Sequence, residues 1–494
     1  MKKKMLSVVL SAAMATCILG GIPVYAKDYD QVTFAYATMN NVPSEEGLES
    51  VQEAVNEITR EKIGVEVTLK PITLADYSQS VSLSLQGGEK IDIFQTIYNF
   101  SESISNGMLL DISDLIDEYG KETKELVGDE WLQTCTSDGS LYGIPVYKAG
   151  ASKGYFVCRE DILEEMGIDT SDITSPEDLT DLFAKVHEAY PDMTVLAPMT
   201  QGRLGENLLW ENIDYLSDSD NQAFGVLLND ELKVQNLYDS ELFEDNCNLI
   251  RDWYEAGYVM KDAATTTSST SELFSSGNYF GTFTAHAFPT EALGEYMTAL
   301  YGYPMKAIPI SEPYITTSTI NLVDWGIASN TKVPEAAMKF LNLTYTDPDV
   351  INLLIYGIEG RDYVLDEEGH AGYPEGADST TVPYTAMMSS GIMGNSFIMH
   401  LSQGVSEEMN KEMEEANKTA TTSPALGFSF DPSSVSVQYT AVSNVANQYL
   451  PGLLCGSVDP ETELPKFQKA LEDAGCQDII EEKQNQLDAW SSAK

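Results

Sequence analysis

Basic residues are scarce in this chain. Only 28 Lys and Arg stand against 77 Asp and Glu among 494 residues, a formal charge of −49 at pH 7. Nucleic acid and anionic lipid are excluded as partners, because either requires a basic surface. Histidine is rarer still: His187, His286, His370 and His400 are all there are, and none sits in an HExxH pattern. No Walker A loop occurs, and Asp218-Ser219-Asp220-Asn221 lacks the glycine and closing glutamate of an EF-hand. The six cysteines (Cys17, Cys135, Cys158, Cys247, Cys455 and Cys476) contain no CxxC pair, which points to neither a metal site nor a disulfide framework. No cofactor and no metal are expected. Beyond residue 26 no apolar run approaches the roughly 20 residues that a membrane span needs.

What the chain does have begins with an export signal. Lys2, Lys3 and Lys4 precede the uncharged apolar stretch Met5 to Ile22, and Val24-Tyr25-Ala26 fits the small-x-small cleavage rule. Residues 1–26 therefore read as a signal peptide. Gly20, Gly21 and Pro23 interrupt the run and argue against a permanent anchor.

The length exceeds a usual single core, so two lobes are expected. Val32, Phe34 and Tyr36 alternate in Gln31 to Ala37, and Val65, Val67 and Leu69 alternate in Val65 to Leu69. Ile91 to Phe94 makes a third short strand. Helical spacing fills residues 45–61, through Leu48, Val51, Val55 and Ile58, and residues 74–86. Strands alternating with helices predict a parallel sheet with right-handed crossovers. Ala263 to Ser271 reads as a polar surface loop.

The stretch from Lys332 to Tyr363, KVPEAAMKFLNLTYTDPDVINLLIYGIEGRDY, predicts two short helices in series. Pro334 suits a first helical position, Asp347 is a candidate N-cap before Pro348, and Gly357 can close the second helix in a left-handed conformation. Pro334-Glu335-Ala336-Ala337 leading to Tyr356-Gly357-Ile358-Glu359-Gly360 resembles the bacterial extracellular solute-binding proteins of ABC importers, family 1 type. The likeness is to the LplA/LipO-like lipoproteins of carbohydrate uptake in particular. Leu141-Tyr142-Gly143-Ile144-Pro145-Val146 is similar to the YGIPV strand of that class. Gly427 to Asp431, a helix with Val442, Val445 and Tyr449, and Glu481 to Trp490 resemble the LplA-like C-terminal region, residues 426–490.

The resemblance implies an α/β, two-lobed periplasmic-binding-protein-like fold, each lobe a mostly parallel sheet flanked by helices, with an interlobe cleft. By the same likeness the chain crosses between lobes near Ile144–Val146, Gly281–Thr284 and Asn321–Ser329. The N-terminal lobe is then residues 27–143 and 281–322, and the C-terminal lobe residues 144–280 and 323–494. The resembled lipoproteins carry a small residue just before a lipidated cysteine, whereas Met14-Ala15-Thr16-Cys17 has the bulkier Thr16. Lipid attachment at Cys17 and cleavage after Ala26 both stay open, so the location is extracytoplasmic, either released or anchored.

No catalytic constellation emerges. Gly150-Ala151-Ser152-Lys153-Gly154 matches GxSxG, but Tyr155-Phe156-Val157 continues as extended chain where the nucleophile motif needs a helix. Among 77 acidic residues a carboxylate pair arises by chance almost anywhere, so it discriminates nothing. Sugars instead need aromatic platforms and forked polar groups. Trp210 and Trp325, each beside polar neighbours, are candidate platforms, while Trp253 beside Leu249 and Ile250 reads as core. Ligands of open α/β sheets sit beyond the carboxyl ends of strands. That rule brings in Asn40 after the first strand and Tyr98 and Asn99 after the third, with Asn41 weighed as a turn residue. Arg361 either pairs with Glu359 or reaches the cleft.

These features predict a non-enzymatic protein that captures a carbohydrate, an oligosaccharide above all, and delivers it to ABC permease subunits by hinge closure. The partners are then the sugar and the permease, with membrane association through the permease or a lipid anchor. The rival expectations are a secreted carbohydrate-active hydrolase or lyase and a ligand-sensing surface protein.

Overall fold

The structure is a computed structural model that describes residues 29–39, 42–198, 213–216, 224–228, 231–401 and 405–493. The signal segment and Cys17 lie outside the described residues.

The first sheet grows from the predicted βαβαβ start. β1 (Asp30–Thr38) pairs in parallel with β2 (Val65–Thr73) through all nine residues. Between them α1 (Glu45–Lys62) begins at Ser44, whose hydroxyl accepts the Gly47 N–H. Glu45 and Glu46 in its first turn and Arg60 and Lys62 in its last complement the helix dipole, and Val51 and Val55 are its buried stripe. α2 (Leu74–Gly87) leads on to β3 (Ile93–Ile97), which lies on the other side of β1.

β3 starts two residues later than the pattern Ile91 to Phe94 suggests. Just before it, the Asp92 carboxylate accepts the Thr33 N–H at 2.8 Å while the Asp92 N–H donates to the Thr33 carbonyl at 3.0 Å. The strand then continues to Ile97 because Val323–Ile327 pairs antiparallel along its length. Ile144–Pro145 closes the sheet against that strand, giving the order β2, β1, β3, Val323–Ile327, Ile144–Pro145.

A second sheet carries four strands in the order Met305–Pro309, Lys153–Arg159, Tyr279–His286, Thr194–Leu196. Both sheets are mixed rather than mostly parallel: beyond β1–β2 and β1–β3, four of the five remaining pairs run antiparallel, and only Thr194–Leu196 with Tyr279–His286 is parallel. The sheets have separate hydrophobic cores.

This pairing corrects two of the expected lobe boundaries. Gly281–Thr284 does not cross between lobes. It is the middle of the second sheet, where Phe283 packs on Phe156 and Trp253. Val323–Ile327 belongs to the first sheet, so assigning 281–322 to the first lobe and 323–494 to the second fails. Residues 328–399 also join the first core, through Ala337, Leu341, Tyr356 and Met393. The chain changes lobe at residues 146–153, 310–322 and 399–425. After the last crossing Phe428, Phe430 and Leu487 pack with Phe243 and Cys247 of the second lobe.

The crossings are tied to one another. Tyr314–Ile315 pairs in parallel with Thr421–Thr422, and Ser152 bridges to Tyr314. Helix Glu407–Thr419 adds Asn417, whose amide donates to the Lys148 carbonyl and accepts from the Gly150 N–H, both at 2.8 Å.

The central two-helix stretch forms as Pro334–Thr346 and Pro348–Tyr356. Asp347 caps the second helix, accepting from Asp349 and Val350, and forms an ion pair with Lys62. Gly357 has a positive φ of 83° but a ψ of −139°, which is not the left-handed helical region. Glycine is still required there, since a Cβ would meet the Asp362 carboxylate at 2.4 Å.

Candidate functional site

The strand order β2, β1, β3 places a topological switch point at the carboxyl ends of β1 and β3. The connection after β1 runs one way along the sheet and the chain after β3 runs the other. Val323 pairs with Ile97, so the chain entering Val323–Ile327 borders the same edge. Such an edge is where ligands of open α/β sheets bind.

Tyr98 stands there, 54% exposed, with a φ of 56°. A left-handed tyrosine costs of order 1 kcal/mol or more, and such strain concentrates at functional positions. Its backbone N–H donates to the Leu322 carbonyl at 3.2 Å, which fixes the turn. Asn99 is committed to the same turn, its side-chain oxygen accepting from the Ile97 N–H at 2.9 Å.

Across the gap, Lys153 pairs with His286, so the end of Tyr279–His286 opens onto the crossings. An aromatic cluster follows. The His286 and Phe288 rings lie 4.0 Å apart, and Tyr296 stands edge-on to Phe288 at 5.6 Å. Burial, then the nearby Lys148 ammonium, hold the His286 imidazole down to about 4, so the ring is neutral. The Lys148 ammonium donates to the Thr319 carbonyl at 3.1 Å. Burial likewise lowers the Lys153 ammonium, opposed by Glu312.

Lys148, His286 and Phe288 line a cavity of about 250 Å³ together with Phe397 and His400 of the first lobe. Phe397 is held edge-on by Tyr147, which in turn meets Trp131, at 5.4 and 5.5 Å. His400 meets the Tyr363 hydroxyl at 3.2 Å. A larger hollow of about 840 Å³ separates Phe100 and Ser101 from residues 427–431 and the last helix, Cys476–Ala493. The Ser101 and Ser429 hydroxyls bridge the lobes there at 3.0 Å.

Of the residues expected from sequence, only Tyr98 and Asn99 come to this edge. Trp325 is corrected to a core residue: it is 1% exposed and stacked on Phe34, because its strand is internal to the first sheet. Arg361 is structural. Its guanidinium grips the Asp362 carboxylate at 2.9 and 2.5 Å and donates to the Ser50 hydroxyl, so it pairs with Asp362 and not with Glu359. Asn40 and Trp210 lie outside the described residues. Lys148, His286, Phe288, Tyr296 and Phe397 were not anticipated. His286 and Phe288 stand at the end of the strand Tyr279–His286, and its place inside the second sheet is what brings them to the cavity.

Ser152 forms an isolated bridge to Tyr314 and leads straight into a strand, so it makes no nucleophile elbow. The cysteines among the described residues are buried thiols. Among those residues no group of three or more His, Cys, Asp or Glu is placed to hold a metal ion, and no helix is long and apolar enough to cross a membrane.

Two mixed sheets joined by three crossings around such a cavity define a binding protein of the two-lobed class. The chain belongs to the bacterial extracellular solute-binding proteins, whose family model matches residues 53–356. Residues 424–492 match a domain of unknown function. A carbohydrate ABC transporter substrate-binding protein of Streptococcus pneumoniae serotype 4 (strain ATCC BAA-334 / TIGR4) is 25% identical over 492 residues, covering 99% of this chain and 97% of the relative. The crystal structure of the N-glycan transport solute binding protein NgtS from Streptococcus pneumoniae superposes with a TM-score of 0.78 at 24% identity, over 93% of this chain and 98% of that one. The same protein in complex with Man1GlcNAc gives 0.68 at 24% identity, over 92% and 99%.

Proposed function

We propose that this protein captures an oligosaccharide outside the cytoplasm and delivers it unchanged to the permease subunits of an ABC importer. The observation that carries the reading is the interlobe cavity, with aromatic rings of both lobes in its wall, beside crossings that are tied to one another. Aromatic faces suit sugar C–H surfaces, and polar groups among them fix orientation. The relatives' descriptions as carbohydrate-transport and N-glycan-transport binding proteins support the ligand class. That NgtS superposes less well as its Man1GlcNAc complex supports lobes that move on binding.

Tyr98 and Asn99 are the first-lobe contacts in this reading, with Asn40 and Trp210 retained as candidates. Release after Ala26 and a lipid anchor at Cys17 are both compatible with it. The test is calorimetric titration of the mature chain with oligosaccharides, followed by chromatography of the sugar after long incubation. Saturable binding with intact sugar is expected. Steady product formation at catalytic protein levels would instead establish the hydrolase or lyase.

A further inference from the structure

Asn417 belongs to the third crossing and grips the first. Its side-chain amide donates to the Lys148 carbonyl and accepts from the Gly150 N–H, each at 2.8 Å, so it holds the chain on both sides of Ala149. An amide suits this task because it carries donor and acceptor on one planar group. Trp131 of the first lobe closes on the same bend, since a Cβ on Gly150 would meet its ring at 2.8 Å.

The chain is already committed on either side of that bend. The Tyr147 N–H donates to the Gly394 carbonyl, and the Tyr147 carbonyl accepts from the Ser396 N–H, both at 2.9 Å within the first lobe. Ser152 exchanges backbone bonds with Tyr314 of the second crossing at 3.2 and 2.9 Å. Rotation about the first crossing therefore falls on residues 148–151, and Asn417 holds their middle.

The helix that carries it, Glu407–Thr419, is fixed by polar bonds more than by burial, with Met413 its one buried residue. The Asn410 amide donates to the Phe397 carbonyl at 3.2 Å, and the Tyr147 hydroxyl donates to the Glu414 carboxylate at 3.3 Å. Just beyond the helix Thr421–Thr422 pairs with Tyr314–Ile315. The helix is thus a strut from the first lobe to the second crossing. Through Asn417 it also sets Lys148 and Ala149, both in the wall of the interlobe cavity.

We propose, resting on the sugar-binding reading above, that Asn417 is a positioning residue of the hinge: it fixes the bend of the first crossing and thereby the lobe arrangement from which sugar is bound. It touches no sugar itself. Its effect is on how much of the population is competent to bind.

Nitroxide labels on Leu83→Cys in the first lobe and Lys185→Cys in the second, both exposed, report the interlobe distance in the mature full chain by double electron–electron resonance. Asn417→Ala should broaden the sugar-free distance distribution and weaken oligosaccharide binding by about tenfold, as the competent fraction falls. Asn417→Asp, which keeps the acceptor for the Gly150 N–H, should fall between Asn417→Ala and wild type in both readouts. Thr419→Ala, whose hydroxyl bonds only within its own helix, should match wild type and controls for loss of helix stability. If Asn417→Ala fails to fold, Asn417→Asp decides. An unchanged distance distribution overturns the proposal. So does a broadened one with full or tighter sugar affinity, since the bend would then not set binding. If no oligosaccharide binds the wild type, the sugar reading fails, whereas the sugar-free distances still decide whether Asn417 fixes the hinge.

Discussion

The indole of Trp325 lies stacked on the Phe34 ring, with centroids 4.5 Å apart and planes 15° from parallel, although β3 separates their two strands. Phe340 meets Phe34 edge-on at 5.2 Å from the covering helix Pro334–Thr346. The three rings therefore bind strand, strand and helix into one core, which is a structural task and not a ligand platform.

Trp325→Ala should accordingly cost about 3–5 kcal/mol of stability, the range for deleting a buried tryptophan. Trp325→Phe, which keeps a ring against Phe34, should cost much less. Denaturant melts of both variants read this directly. Titration under conditions where each remains folded should give unchanged sugar affinity, and a selective loss of affinity without destabilisation would return Trp325 to the site.

Tyr98 predicts the opposite pattern. Tyr98→Gly removes the left-handed strain of a φ of 56° and should raise stability by about 0.5–1 kcal/mol. The same change removes an exposed ring at the switch point and should weaken sugar binding by about tenfold or more. Melting and calorimetry on one variant test both halves. A destabilised Tyr98→Gly protein with full affinity would show that the ring serves the fold.

Local features were legible wherever a residue's role depends on its neighbours in the chain. The βαβαβ start, the Pro334 helix start and the Asp347 cap follow from spacing and capping chemistry, and the structure reproduces them within a few residues. What sequence could not supply is which strands share a sheet. Gly281–Thr284 and Val323–Ile327 both read as short extended segments, and only pairing tells that one lies within the second sheet and the other in the first. Site residues that depend on that pairing went astray with it, Trp325 most clearly. Arg361 failed for a related reason, since its partner Asp362 is adjacent in the chain but is turned toward it only by the glycine-dependent loop at Gly357.

Lys483 gives the second lobe a pH signature. Its ammonium is fully buried, donates to the Gly225 and Tyr215 carbonyls at 2.8 and 3.1 Å, and faces the buried Asp214. Burial lowers its pKa from 10.5 to about 7. Between those values the unfolded chain holds a proton that the folded chain has released, so this group makes stability rise with pH from about 7 toward 10.5. The melting temperature of the wild type relative to Lys483→Met should therefore increase from pH 7 to pH 9. Lys483→Met should itself be destabilised by about 1–3 kcal/mol, since it leaves the Gly225 and Tyr215 carbonyls without this donor. A melting difference that stays flat with pH would show that the lysine remains charged throughout.

The hinge can be tested by locking it. Ser101 and Ser429 reach across the lobes with hydroxyls 3.0 Å apart, a separation compatible with a disulfide between cysteines at the two positions. The native cysteines among the described residues are buried, and burial pushes the Cys158 and Cys247 thiols up, so they should not compete for the new bond. If binding requires the lobes to move from the arrangement described here, oxidised Ser101→Cys/Ser429→Cys protein should lose at least about tenfold in sugar affinity, because the binding-competent state is no longer populated. Reduction should restore it. Small-angle scattering should in parallel show the wild type compacting with saturating sugar and the oxidised variant unchanged. Equal affinity of the oxidised and reduced forms would mean that sugar is held without lobe closure.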